Sequence, residues 1–268
     1  MRKPTLREET EELLRREGLF ARKKFSQNFL VDEEALAAIL SAGELAKEDV
    51  VVEIGAGLGT LTAELAARAG KVFACEIDAK LAALLRRRFA KKKNLEIVEG
   101  DALHFNLPPR AKIVANLPYH LTGRFLRHFF LGKNPPRRVV LLLQKEVAER
   151  IADEKKLSLP ALLARNFGEP RVIQKVPAAS FLPAPRVDSA ILLVEPKETL
   201  AILAEEFFDF AARVFQQKRK NLANALASLL GGKEAARALL VKAGIDGRRR
   251  AETLSLEEWR ELWRAKES

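Results

Sequence analysis

The chain holds one cysteine, one methionine, one tyrosine and three histidines among 268 residues. The lone Cys75 excludes an internal disulfide framework, a cysteine-based structural zinc site and a cysteine-ligated iron–sulfur cluster. His104, His120 and His128 show no His-x-x-x-His spacing, and no metal centre is predicted. No apolar run approaches the roughly 18 residues of a membrane helix. The N-terminus, MRKPTLREETEELLRREG, is charged throughout and lacks the apolar stretch of a secretory leader. A reducing cytoplasm with no membrane association is therefore expected. Hydrophobic residues at 48% and charged residues at 31% allow a buried core and exclude global disorder.

What is abundant is positive charge. Lys and Arg number 47 against 36 Asp and Glu, a net charge of +11, with a pI near 9.8. Such a balance favours a polyanionic partner, nucleic acid above all. A salt-bridged, heat-adapted surface is the plain alternative and is compatible with it. From Pro196 onward there are 14 basic and 11 acidic residues, a net of +3, so +8 belongs to the chain ahead of it. Candidate phosphate contacts are Arg22-Lys23-Lys24, Arg86-Arg87-Arg88, Lys91-Lys92-Lys93, Lys218-Arg219-Lys220 and Arg248-Arg249-Arg250. Each cluster alone also fits a solvated face.

Thr5-Leu6-Arg7-Glu8 has capping-box spacing and Gly18 stands where that helix would stop. Apolar spacing predicts a second helix from Asp32 to Ala42. An alternating series follows: strands at Val50–Ile54, Val72–Glu76, Leu95–Glu99, Ile113–Ala115 and Val139–Leu143, with helices at Thr60–Ala69 and Lys80–Ala90. Short β-branched runs between helical patterns imply βαβ units, hence an α/β fold with a mostly parallel sheet covered by helices on both faces. Two more strands are predicted at Arg171–Val176 and Ala190–Val194, joined by a rigid loop holding Pro177, Pro183 and Pro185. Beyond Glu195-Pro196-Lys197 the periodicity is helical throughout, broken at Gly231-Gly232 and Gly244. This predicts an α/β domain over 1–195 and a small all-helical domain over 196–268.

Candidate site residues gather at predicted strand ends. Gly55-Ala56-Gly57-Leu58-Gly59 follows the first strand of the series, and its glycines let backbone approach a ligand. Glu76 closes the next strand, where a carboxylate can accept from ribose hydroxyls. The spacing is Gly-x-Gly-x-Gly, so a dinucleotide fingerprint does not match. Asp101 follows the third strand, placed to receive an adenine amine or simply to cap a turn. Asn116-Leu117-Pro118-Tyr119 ends the fourth. The Asn116 side-chain oxygen and a nearby carbonyl such as that of Pro118 can accept from one NH2 group, and Tyr119 can stack on a planar base. Phe181, in the proline-rich loop, is the candidate for the opposing stacking face. Cys75 falls inside a strand and reads as a small buried hydrophobe, which argues against a thiolate-dependent methylation.

Taken in order, these segments resemble the small-subunit rRNA adenine N6,N6-dimethyltransferase family from Lys24 to about Leu226. The resemblance is carried by Phe25-Ser26-Gln27-Asn28-Phe29-Leu30, the Glu53-to-Thr62 turn, Glu76-Ile77-Asp78 and Gly100-Asp101-Ala102. Asn116-Leu117-Pro118-Tyr119, Gln144-to-Arg150 and Phe181-to-Ser189 complete it. Two stretches depart from the family pattern: Ser26 stands where Gly is usual, and Asp153 to Ser158 is short and charged. The resemblance implies a Rossmann-like S-adenosylmethionine domain with a small helical C-terminal domain that contacts rRNA. It implies cofactor contacts at Asn28, Leu30, Gly55, Glu76, Asp101 and Asn116, with Gly57 beside them in the turn. It further implies that a monomer transfers two methyl groups to each of two adjacent adenosines near the 3′ end of 16S rRNA. A large-subunit rRNA methyltransferase and a non-catalytic nucleic-acid-binding descendant are the rival readings.

Overall fold

The computed structural model describes residues 2, 4–22, 27–117, 122–197, 205–217 and 219–268. They form two compact units: Met1–Glu149 with Arg171–Pro196, and Arg150–Pro170 with Lys197–Ser268.

The first unit opens on α1 (Leu6–Glu17), with a Thr5–Glu8 capping box at its start and Gly18 in the left-handed conformation at its end. The two-residue β1 (Phe29–Leu30) and α2 (Glu33–Gly43), capped by Asp32, come next. The alternating series then appears as expected: β2 (Val50–Ile54), α3 (Thr60–Arg68), β3 (Lys71–Glu76), α4 (Ala79–Arg88), β4 (Leu95–Glu99) and β5 (Lys112–Asn116). After α5 (Thr122–Phe130) come β6 (Arg138–Gln144), α6 (Lys145–Ala152), α7 (Leu159–Phe167), β7 (Gly168–Val176), β8 (Phe181–Leu182) and β9 (Ser189–Pro196).

Seven strands form one sheet in the order β4-β3-β2-β5-β6-β9-β7. The pairs from β4 through β6 are parallel, and β9 runs antiparallel to β6. Parallel strands covered on both faces must be apolar throughout. Val51, Val52, Val72 and Ile113 are accordingly fully buried. The chain winds from β2 to β3 and β4 on one side, then returns to place β5 and β6 on the other. That reversal opens a crevice outside the carboxyl ends of β2 and β5.

The loop predicted between Val176 and Ala190 is more structured than its prolines suggest. Ala178–Ser180 makes one short helical turn, and β8 pairs antiparallel with β1, Leu30 opposite Phe181. Two-residue strands carry no periodicity, so this pairing has no local signal.

The second unit corrects the expected domain limits. Its later stretch begins at Lys197, one residue past the expected limit, and residues 150–170 join the C-terminal helices instead of the α/β domain. The helices are α8 (Glu205–Gln216), α9 (Leu222–Leu230), α10 (Lys233–Lys242) and α11 (Leu256–Glu267). Here α7 packs on α8 and α11, and the Leu157 N–H donates to the Glu252 carbonyl at 2.9 Å. An aromatic cluster fills this unit, with Phe215 stacked on the buried Trp259 at 5.1 Å and Phe207 edge-on to Trp263 at 5.8 Å.

At the opposite edge of the sheet from the crevice, the strand starts are tied by buried charge. The Lys112 ammonium lies 2.8 Å from Asp49 and donates to the carbonyls of Gly43 and Glu44. Arg137 meets the other Asp49 oxygen at 2.9 Å. Burial alone would raise the Asp49 carboxyl, but bonds from Lys112 and the Ala46 N–H, with the charges of Lys112 and Arg137, hold it below its ordinary value. Asp49→Ala leaves a buried ammonium without its counter-charge and should cost about 3–5 kcal/mol. Lys112→Met, which leaves Asp49 with Arg137 and the Ala46 N–H, should cost less. Thermal melting of the two variants checks this, and equal losses would contradict it.

Candidate active site

The Gly55–Gly59 turn is shaped by what surrounds it. Gly55 has φ +77°, and a Cβ there would stand 3.3 Å from the Asn116 carbonyl. Gly59 has φ +86°, and a Cβ there would run into the Phe89 and Leu85 side chains at 2.6 and 2.7 Å. Only glycine meets both demands, so the turn lies close against β5 and α4, and its Gly55 and Ala56 N–H groups donate to the Cys75 carbonyl of β3 at 2.9 and 3.2 Å.

The Gly57 N–H donates to Glu76 Oε2 at 2.8 Å, and the Asp78 N–H donates to Glu76 Oε1 at 2.9 Å. The Glu76 carboxylate is thereby fixed at the end of β3. Burial raises its pKa, with the N–H groups of Asp78 and Gly57 pulling the other way and the charge of Asp78 adding to the rise. Asn116 ends β5 and its side-chain NH2 donates to the Asn28 carbonyl at 3.1 Å. A carbonyl can only accept, so the bond also fixes which end of the Asn116 amide is the acceptor.

These residues share one hollow. Asn28, Leu30, Gly55, Gly57, Glu76 and Asn116 all line it, together with Gln27, Glu53, Ile77 and Leu117. An adjoining apolar hollow shares Gly55, Ile77 and Leu117 and is closed by Phe125 and Phe129, with Asp101 at its side. Asp101 also accepts from the Leu103 N–H at 2.9 Å, capping the short turn Ala102–His104. The turn-capping role and the crevice position therefore coexist in one residue.

Phe181 does not belong to the site. It is 1% exposed, packed in the core with Ile39, Val51 and Ile191. It lines neither hollow and its ring is enclosed by the core, so it does not fill the predicted stacking role. It supports the crevice wall from behind, opposite Leu30. Pro118 and Tyr119 lie outside the described residues, as do Lys23, Lys24, Ser26 and Lys218. Cys75 is buried in β3, and burial, with the nearby Glu53 and Glu76 charges, pushes its thiol up to about 12. A thiol so protonated is no nucleophile near neutrality.

Ile77 and Glu53 were not among the predicted site residues. Ile77 is half exposed (51%) and lines both hollows. Its signal in the sequence was an apolar residue between two acids just past a strand end. Glu53 is 1% exposed and its Oε2 has no partner. Burial pushes its carboxyl up to about 8, with Thr62 lowering it and the Glu76 charge raising it.

The basic clusters separate. Arg86 pairs with Glu99 at 2.7 Å, Arg87 with Glu17 at 2.6 Å, Arg248 with Asp246 at 3.0 Å, and Arg249 with Glu258. Lys91, Lys92 and Lys93 are exposed, just ahead of β4 and so at the strand-start edge, away from the crevice.

A glycine turn, an acid closing the neighbouring strand and a crevice at the reversal of strand order define the class: a Rossmann-like methyltransferase fold. Comparison with known proteins agrees. The profile of the ribosomal RNA adenine dimethylase family matches residues 18–267, and the chain belongs to that family. The ribosomal RNA small subunit methyltransferase A of Dehalococcoides mccartyi is 41% identical over 272 residues, spanning 97% of this chain and 93% of the relative. The protein of the same name from Moorella thermoacetica is 39% identical, over 94% of each chain. Among solved structures, a dimethyladenosine transferase from Plasmodium falciparum superposes with a TM-score of 0.75 at 25% identity, covering 87% of this chain and 95% of that one. The 23S rRNA methyltransferase ErmE gives 0.68 at 28% identity, covering 90% of this chain and all of that one.

Glu53 makes a prediction independent of function. The folded chain keeps this carboxyl protonated up to about pH 8, whereas an unfolded glutamate releases its proton near 4.5. Between those values the folded state holds the extra proton, so rising pH lowers stability. Glu53→Gln removes that dependence. Its melting temperature relative to the parent chain should rise from about pH 5 to about pH 8 and level off above. A difference that stays flat with pH would mean that Glu53 is ionised throughout.

Proposed function

We propose that this protein is an S-adenosylmethionine-dependent RNA adenine-N6 dimethyltransferase. Its substrates are two adjacent adenosines near the 3′ end of 16S rRNA in the small ribosomal subunit or its precursor. The same reading makes it a monomer of the cytoplasm, with the helical C-terminal unit contacting rRNA.

The residues of the crevice suit the cofactor. Glu76 presents a carboxylate held by two backbone N–H groups, suited to a ribose diol. Ile77, half exposed, offers apolar surface to a purine in a hollow whose lining includes Leu117 and Phe125, with Asp101 beside it to accept from the purine amine. Glu53 adds a buried oxygen without a partner, and the glycine turn leaves room where any Cβ would crowd the backbone of β5. S-adenosylmethionine, when bound, supplies an electrophilic methyl group on its sulfonium.

The observation that carries the reading is the orientation of Asn116. Its NH2 donates to the Asn28 carbonyl, which leaves Oδ1 as the acceptor end of a residue that lines the crevice. An adenine N6 amine is a poor nucleophile because its lone pair is delocalised into the ring. Donating an N–H to Asn116 Oδ1 and the other to the Pro118 carbonyl favours a pyramidal nitrogen, with the lone pair out of the ring plane. Much of the rate then comes from alignment. The target base must leave its stack to enter, and Tyr119 is assigned to hold it.

Tritiated methyl transfer to purified ribosomal subunits, followed by nucleoside analysis, tests the reading: label should appear as N6,N6-dimethyladenosine in the small subunit. Label only in the large subunit, or none, would overturn it. Asn116→Ala should abolish most single-turnover transfer while leaving fold and RNA affinity largely intact. Tyr119→Ala should lose about 1–3 kcal/mol of stacking, and Tyr119→Phe should be nearly neutral. Asp101→Ala should weaken cofactor binding by about 1–3 kcal/mol, the cost of an unpaired buried partner, as read by calorimetry.

A further inference from the structure

The two ends of the Gln27 side-chain amide are both engaged. Its Oε1 accepts from the Arg22 N–H at 2.8 Å, and its Nε2 donates to Asp78 Oδ2 at 3.2 Å. A backbone N–H can only donate and a carboxylate can only accept, so the amide has one workable orientation. Asp78 is itself 3% exposed. It caps α4 through the Lys80 N–H at 3.0 Å and meets the Arg22 guanidinium at 3.4 Å. Its own N–H holds Glu76. Gln27 therefore joins the segment that precedes β1 to the same short turn that fixes the Glu76 carboxylate.

That segment forms one wall of the crevice. Asn28 gives its carbonyl to Asn116, Phe29 and Leu30 pair with β8, and the Phe29 ring approaches to 3.4 Å of where a Gly57 Cβ would stand. Asn28 and β1 are held to β5 and β8 by these contacts. Toward α4, the Phe29 ring shares an apolar cluster with Leu81 and Leu84, and among the described residues the polar links are the Gln27 amide and the Arg22 guanidinium, both ending on Asp78.

We propose that Gln27 is a positioning residue for cofactor retention, clasping the Asn28–Leu30 wall to Asp78 so that the crevice keeps its width between that wall and Glu76. The inference rests on the reading of this crevice as an S-adenosylmethionine site. Gln27 touches no reacting atom in this account. Its loss lets the wall move away from Glu76, which lowers affinity, while Asn116 and the transfer geometry of a bound cofactor are preserved.

The test measures S-adenosylmethionine and S-adenosylhomocysteine binding to the full chain by calorimetry, beside single-turnover transfer at saturating cofactor. Gln27→Ala should weaken both ligands about tenfold, the scale of losing one charge-assisted hydrogen bond. Its transfer rate at saturation should change by less than about twofold. Asp78→Ser retains a capping oxygen for α4 but removes the carboxylate that holds Gln27 and Arg22, and should show at least that loss. The double variant should bind no more weakly than about the weaker single, because the Gln27–Asp78 contact is already lost in either single change. Unchanged affinity in Gln27→Ala while the parent chain binds would overturn the proposal, and so would losses that multiply in the double variant. A purely structural Gln27 would lower the melting temperature and leave affinity at low temperature untouched. A parent chain that binds neither ligand would instead count against the cofactor reading. Should Gln27→Ala fail to fold, Asp78→Ser decides alone: intact affinity there overturns the clasp.

Discussion

The Glu76 carboxylate accepts one backbone N–H from the glycine turn and one from the start of α4, at 2.8 and 2.9 Å. Those bonds fasten the ends of β2 and β3 to each other at the point where the strands stop pairing. Each neighbour is then placed by the same anchor: Asp78 by its N–H, Gly57 by its own, and Ile77 between the two acids, pushed outward over both hollows. The desolvation that the buried carboxylate suffers is offset by these donors only in part, which is why its pKa remains raised. A group in that condition gains from further donors, and ribose hydroxyls are of that kind.

The parallel strands were legible because a strand buried on both faces is written almost wholly in apolar residues, as Val50 to Ile54, broken only by Glu53, and Val139 to Leu143 are. The site was legible where chemistry and strand ends coincide: Gly55, Glu76, Asp101 and Asn116 all stand at or just past the carboxyl end of a strand. Phe181 was misread because an aromatic residue in a proline-rich stretch resembles an exposed loop residue. Its burial is decided by a partner 151 positions away, Leu30, through a pairing of two residues. The joining of 150–170 to the C-terminal helices was missed for a similar reason. Helix α7 shows an apolar pattern, but which unit it packs against depends on α8 and α11. Gln27 and Glu53 were invisible as functional candidates because their meaning lies in bonds made or missing across the fold.

Charge is the property on which sequence and structure diverge most. A cluster such as Arg86-Arg87-Arg88 looks like a phosphate cradle in one dimension. In three, Arg86 and Arg87 meet acids from β4 and α1, and Arg88 donates to the Leu58 carbonyl in the glycine turn. The run acts inside the domain, bracing the turn from α4. Lys91 to Lys93, indistinguishable by composition, remain exposed at the far edge of the sheet. Counting charge gives the sign of the partner, and pairing decides which charges are left to meet it.

The pairing of β1 with β8 also sets an order of events during synthesis. One wall of the crevice is made from residues 28–30, near the beginning of the chain, but the strand that holds it in place contains residues 181 and 182. A nascent chain can bring β2 and β3 together once about its first third has emerged, as domains generally assemble from the N-terminal side. The crevice wall stays without its backing strand until some hundred residues later. Competence to bind is thus conferred late on a sheet that is already part-built, and a chain cut short ahead of Phe181 would keep the glycine turn and Glu76 while lacking the strand against which Leu30 closes.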